Sequence, residues 1–218
     1  MRLQSAIFDM DGTLLDSMHM WKDLGGELLR GLGYTPAPDL QERLKALTLR
    51  EGAAYCKEAY GMPQSVDELT ARIAARIEDF YRNEVRAKPG VANFLSLLKM
   101  EGVWMYVATA TDRPLAEAAL RRAGIRDYFR GVLTCGEIGR GKDSPEIYEG
   151  AMRRLRSNKR DTVVFEDALF AARTAKNAGF RVAAVYDACA EEDQPALRAL
   201  ADYYIASFEE LFETEILS

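Results

Sequence analysis

Asp9 and Asp11 stand two residues apart in "IFDMDGTLLDS", directly after a short apolar run. Glu166 and Asp167 close a second apolar run, "VVFED". Thr109 ends a third, "VWMYVAT", and Lys142 lies in the loop before "SPEIY". Four carboxylates brought together repel one another unless a cation sits among them. An all-oxygen donor set suits a hard ion, most simply Mg²⁺, which keeps several waters and commonly binds phosphate through one or two carboxylates. A hydroxyl and a point positive charge, Thr109 and Lys142, suit phosphate oxygens. These types allow attack on phosphorus. Asp9 is ionised at neutral pH, needs no base, and could form an aspartyl phosphate. Asp11 could protonate the leaving oxygen and then take a proton from the attacking water. Gly12 and Thr13 let the chain turn so that Asp11 faces the same centre. Thr111 and Asp112 stand near enough to Thr109 to compete for its role, although Asp112 reads better as a helix N-cap.

For these residues to meet, the elements that carry them must end at one edge. "LQSAIF", "VWMYVAT", "GVLTCG", "DTVVFED" and "RVAAVY" read as strands, and helical stretches separate them. Strands alternating with helices imply βαβ units and a parallel sheet. Ligands of open parallel sheets bind at the carboxyl ends of the strands, where Asp9, Thr109 and Glu166 stand. Helix boundaries are marked by Gly33, by Asp112 and Gly124, and by Ser144 as cap with Pro145 at the first helical position. The final "YYIASFEELFE" reads as a short strand and a capped helix.

Between the first carboxylates and "AKPGV" the pattern is helical throughout. "TLRE" (Thr48 to Glu51) and "SVDE" (Ser65 to Glu68) are capping boxes that open helices. The expected fold is therefore an α/β, Rossmann-like parallel sheet core with an inserted all-helical domain. The core comprises residues 1–16 and 87–218, and the helical cap 17–86. The two junctions, near Ser17 and Lys88, should lie close in space and could act as a hinge. Asp16 then caps the first helix of the insert or steadies that hinge.

The bulk numbers narrow the function. With 48% hydrophobic residues in 218, the chain can bury a sizeable core. A net charge of −5 with interspersed acids and bases offers no basic surface for nucleic acid. The apolar runs are too short to span a membrane, and "MRLQSAIF" leaves no room for a signal peptide, so a cytoplasmic protein is expected. Cys56, Cys135 and Cys189 form no CxxC pair and read as reduced, buried thiols. His19 is the only histidine, which removes a histidine-based triad.

The ordered set of motifs resembles the haloacid dehalogenase superfamily. The first is DxDGT, as Asp9-Met10-Asp11-Gly12-Thr13; the second a strand-end Thr109; the third Lys142; the fourth the acidic pair Glu166-Asp167. The helical insert resembles the cap of the branch similar to β-phosphoglucomutase and phosphoglycolate phosphatase. The resemblance implies a Mg²⁺-dependent phosphatase with Asp9 as nucleophile and Asp11 as acid/base. It implies Mg²⁺ held by the Asp9 side chain, the Asp11 main-chain carbonyl and Asp167, with Glu166 at or beside the ion. Asp11 argues against dehalogenation, because the family's dehalogenases lack that second acid. Lys22, Lys45 and Lys57 stand in no context that resembles a phosphonatase's Schiff-base lysine. The stretch "LKALTLRE" lacks the Gly common in mutase-like sequences but keeps Arg50, so a phosphomutase is the alternative, with a non-catalytic binder on the same fold behind it. Arg50, His19 and Trp21 are candidate substrate-selecting residues of the cap. The expected partner is a small phosphorylated metabolite, met by a monomer or weak dimer, with no nucleic acid and no membrane.

Overall fold

A computed structural model describes residues 3–44 and 47–209. Lys45 and residues 210–213 of the expected "EELFE" helix lie outside the described residues. The chain forms two compact units, Met1–Ser17 with Val85–Ser218, and Met18–Glu84.

The first unit holds one six-stranded sheet. Its strands are β1 (Ser5–Phe8), β2 (Trp104–Thr109), β3 (Val132–Thr134), β4 (Thr162–Glu166), β5 (Arg181–Val185) and β6 (Tyr203–Ile205), ordered β3-β2-β1-β4-β5-β6. Every neighbouring pair is parallel. β1 is buried along its whole length, as a central strand covered on both faces must be. Phe8 stacks on Phe165 of the neighbouring strand with centroids 4.2 Å apart, and Phe94 and Phe129 meet Phe8 edge-on. On the other face Ile7, Leu133, Val164, Val182 and Ala184 form a continuous apolar core. The register sets Phe8 beside both Val107 and Phe165. The strand order reverses around β1, which places its carboxyl end at the crevice where open sheets bind ligands.

The second unit contains α1 (Met18–Gly31), α2 (Leu40–Leu44), α3 (Leu49–Tyr60) and α4 (Val66–Asp79), followed by a π-helical turn over Phe80–Glu84. Both capping boxes form: Thr48 with Glu51 opens α3, and Ser65 with Glu68 opens α4. The helices bury Leu24 and Leu29, Ala53 and Cys56, and Leu69, Ile73 and Ile77. Arg76 ties α4 to Glu27 of α1 at 2.7 Å and to Glu84 of the turn at 2.8 Å. Lys57 donates to the carbonyls of Met62 and Gln64, which occupies its ammonium in closing the loop after α3.

The remaining helices belong to the first unit: α5 (Val91–Met100), α6 (Arg113–Arg122), α7 (Cys135–Ile138), α8 (Glu146–Arg154), α9 (Leu169–Asn177) and α10 (Gln194–Leu200). Several local readings need correction. "GVLTCG" is a strand only to Thr134, because Thr134 and Glu137 form a third capping box and start α7. α8 begins at Glu146 with Pro145 at the cap position, so Ser144 lies one residue outside; its hydroxyl donates to the Glu146 carboxylate instead. Asp112 sits at the N-cap of α6 without a side-chain cap bond. All three cysteines are free, but only Cys56 is fully buried. Among the described residues no helix is long and apolar enough to cross a membrane.

The two linkers within the first unit pair with one another. Asp16 N–H donates to Arg86 O at 3.0 Å, Lys88 N–H donates to Leu14 O at 2.9 Å, and Leu15 faces Ala87 in an antiparallel bridge. The Lys88 ammonium then reaches Asp187 at 2.8 Å and the Tyr186 carbonyl at 2.7 Å, beyond the end of β5.

Candidate active site

The register of β1 and β4 brings the first two acids together. Phe8 pairs with Phe165, and Asp9 N–H donates to the Phe165 carbonyl at 2.9 Å. The next residues, Asp9 and Glu166, therefore stand side by side at the carboxyl end of the sheet. Asp167 follows at once, and Thr13 donates its hydroxyl to Asp167 Oδ1 at 2.9 Å. Thr13 can do so because the chain folds back after β1: Leu14 and Leu15 both donate to the Met10 carbonyl. Carboxylate oxygens of Asp9, Glu166 and Asp167 lie within 4.8 Å of one another, and all three residues are buried.

Lys142, from the loop between α7 and α8, enters this cluster. Its ammonium contacts Asp9 Oδ1 and donates to Glu166 Oε1 at 2.6 Å. The Tyr148 hydroxyl donates to the same Glu166 oxygen at 2.8 Å. Glu166 Oε2 is buried with no hydrogen-bond partner.

Asp11 is held differently. Ser17 donates to its Oδ1 at 2.7 Å, and Thr111 donates to its Oδ2 at 2.7 Å. Thr109 is buried at the end of β2, and its hydroxyl accepts the Thr111 N–H at 3.0 Å. The six residues read from the sequence therefore separate into two linked groups. Asp9, Lys142, Glu166 and Asp167 form a charged cluster, while Asp11 and Thr109 are joined through Thr111.

One buried ammonium faces three buried carboxylates, and the electrostatics follow. Burial, and then the Glu166 charge, push Asp9 up to about 6, against the pull of Lys142. Burial, Asp9 and Glu166 hold Asp167 well above the usual carboxylate range. For Lys142 burial favours the neutral amine, yet Asp9 and Glu166 together outweigh it and raise the ammonium above its ordinary value. Burial and Glu166 likewise raise Tyr148, which stays a protonated donor at neutral pH.

This donor set fits a divalent cation. It offers only oxygens, it is short of positive charge, and it contains a buried carboxylate oxygen without a donor. An unpaired buried oxygen of that kind costs free energy that a bound hard cation would offset.

Four residues escaped the sequence reading as contributors: Thr13, Ser17, Tyr148 and, in its actual role, Thr111. Tyr148 alone carried a local signal. It stands on the buried face of α8 beside Ile147 and Ala151, and a buried phenol usually needs a partner. Of the proposed cap residues, Arg50 forms an exposed ion pair with Asp67. His19 meets Phe80 edge-on, and Trp21 donates to the Tyr81 hydroxyl at 3.0 Å.

The chain is similar to known proteins over most of its length. The phosphorylated carbohydrates phosphatase of Thermotoga maritima is 28% identical over 177 residues, which is 81% of this chain and 82% of that protein. A crystal structure from Thermotoga maritima, assigned as a β-phosphoglucomutase, superposes with a TM-score of 0.84 at 27% identity over 95% of each chain. CbbY from Rhodobacter sphaeroides, solved in complex with phosphate, gives a TM-score of 0.76 at 25% identity over 99% of each chain. The sequence profile of haloacid dehalogenase-like hydrolases matches residues 6–185. With the motif acids at the strand ends of a parallel sheet and a profile match across most of its length, the chain belongs to the haloacid dehalogenase-like hydrolase family of enzymes.

Proposed function

We propose that this chain is a Mg²⁺-dependent phosphatase of a small phosphorylated metabolite, acting through an aspartyl phosphate on Asp9. The observation that carries the reading is the buried Asp9–Glu166–Asp167 cluster, which faces Lys142 at the carboxyl edge of the sheet. An Asp9 carboxylate oxygen attacks phosphorus, and the ester P–O bond breaks. Asp11 gives its proton to the leaving alkoxide. Water then attacks the phosphorus of the acyl phosphate, Asp11 takes the water proton, and inorganic phosphate leaves with Asp9 restored. Lys142 and Thr109, the latter at the end of β2, are suited to the phosphoryl oxygens. Asp9, Glu166, Asp167 and the Asp11 main-chain carbonyl are the groups that would hold Mg²⁺. When bound, Mg²⁺ supplies charge neutralisation for the phosphoryl group.

The substrate class favoured by the Thermotoga phosphatase is a phosphorylated carbohydrate. The helical unit is the proposed cap, with Arg50, His19 and Trp21 as its candidate selectors. A monomer or weak dimer in the cytoplasm fits the reading. A second reading, a phosphomutase, is favoured by the likeness to the Thermotoga structure assigned as a β-phosphoglucomutase. Phosphate release from a panel of phosphorylated metabolites tests the first reading. The expected result is Mg²⁺-dependent release that Asp9→Asn abolishes; near wild-type turnover by that variant would overturn it. Single turnover with a bisphosphorylated sugar separates the second, because a mutase returns the phosphoryl group to the sugar instead of water.

A further inference from the structure

We infer that Tyr148 is a positioning residue for the cation: through Glu166 it divides the two carboxylate oxygens between the lysine and the metal. The inference rests on the cation-dependent reading above. Glu166 Oε1 accepts two donors, Lys142 at 2.6 Å and Tyr148 at 2.8 Å, whereas Oε2 is buried and accepts none. A carboxylate with one oxygen doubly bound has one orientation, and the oxygen left over is the one available to a cation. Lys142 cannot fix that orientation alone. Its ammonium sits on a long flexible stem and is shared with Asp9, so it can follow either carboxylate. Tyr148 is rigid where Lys142 is not. Its ring is fully buried on α8, packs edge-on against Phe180 with centroids 6.3 Å apart, and belongs to the core that covers the sheet. The hydroxyl therefore comes from a fixed point in the core. It holds Glu166 in place whether or not Lys142 turns toward phosphate during the reaction.

Groups that orient a metal-binding side chain in this way typically change metal affinity about 10- to 100-fold when removed. The test is calorimetric titration of Mg²⁺ into metal-free protein without substrate, using wild type, Tyr148→Phe, Glu166→Gln and the double variant. Tyr148→Phe keeps the ring and removes one oxygen; Tyr148→Met serves the same cycle if that variant does not fold. The expected result is a Kd raised about 10-fold or more by Tyr148→Phe. In the Glu166→Gln background the same change should have little further effect, because the influence runs through that carboxylate. A Kd unchanged by Tyr148→Phe, or raised equally in both backgrounds, overturns the inference. Asp167→Asn distinguishes its failure from that of the underlying reading. If wild type binds no Mg²⁺, or binds no better than Asp167→Asn, the cation-dependent reading falls and this inference with it.

Discussion

Thr111 donates its hydroxyl to Oδ2 of Asp11 at 2.7 Å, while its own main-chain N–H donates to the Thr109 hydroxyl at 3.0 Å. One residue thus connects the end of β2 to the acid that follows β1. With Ser17 on the other oxygen, the Asp11 carboxylate is aimed from both sides. Thr111→Val removes one of these donors at nearly constant volume. The variant should lose roughly 10-fold in kcat/KM on an alkyl phosphate, a fraction of the roughly 10²–10⁴-fold that general acid catalysis supplies, because Asp11 keeps the Ser17 donor. On p-nitrophenyl phosphate the loss should be small, because that leaving group departs without a proton. Thr111→Ser should restore the alkyl rate. Equal losses on both esters would show that Thr111 does not serve the acid.

Stability should respond to Mg²⁺ in a pH-dependent way. Asp9 ordinarily titrates near 3.8, and burial pushes it up to about 6 in the folded chain. Asp167 is raised in the same direction. Between the unfolded and folded values the folded state binds more protons, so these groups make stability fall as pH rises through that window. Above it the penalty of the ionised carboxylates stands in full. A divalent cation removes that penalty only where the acids are ionised. Thermal unfolding should show a clear rise in Tm with Mg²⁺ at about pH 7.5 and a much smaller one at about pH 5. Equal shifts at the two pH values would contradict the assignment of these acids to the cation.

Lys142 is the sole ammonium contacting Asp9 and Glu166 among the described residues, and all three side chains are buried. Lys142→Met leaves the carboxylates without it. Breaking a buried pair from one side typically costs about 3–5 kcal/mol, and urea unfolding at neutral pH should show a loss of that order. The loss should shrink at about pH 5, below the raised Asp9 value, where that acid is protonated. A loss independent of pH would place the cost in packing instead of charge.

Gly90 opens α5 with φ of +80°, and a Cβ there would lie 2.4 Å from Glu209 N and 2.5 Å from the Phe208 carbonyl carbon. Gly33 has a similar φ of +84° but open space around it. Alanine at Gly33 should cost about 1 kcal/mol from backbone strain alone. Alanine at Gly90 adds a backbone collision and should cost about 1–3 kcal/mol more. Chemical denaturation of the two variants gives the comparison, and equal costs would mean that the Phe208 segment yields freely.

Local signals explain which features were legible in the chain. The boxes at Thr48 and Ser65 form because both partners lie within one helical turn, so neither depends on the rest of the fold. Asp9 and Glu166 were readable as strand-end acids because an apolar run stops at a charge. The box at Thr134 uses the same chemistry but was hidden, since "VLTC" continues the apolar run into the helix. The contacts that finish the site could not be read in this way. Thr13 with Asp167, Thr111 with Asp11 and Tyr148 with Glu166 depend on the order and register of the strands, which alternation alone does not specify. Arg50 shows the converse case: a residue picked for its charge finds a partner, Asp67, on a neighbouring helix of its own unit.

The paired linkers have a consequence for how such a chain can change over generations. Leu14 to Asp16 and Arg86 to Lys88 are hydrogen-bonded to each other, so the entry and exit of the helical insertion are already joined within the sheet domain. Whatever stands between them closes a loop whose ends are held together independently of its length, and lengthening such a loop costs little. The segment from Met18 to Glu84 is therefore an exchangeable cassette. Its length and sequence can change at little cost to the strand pairing and to the acids at the edge of the sheet.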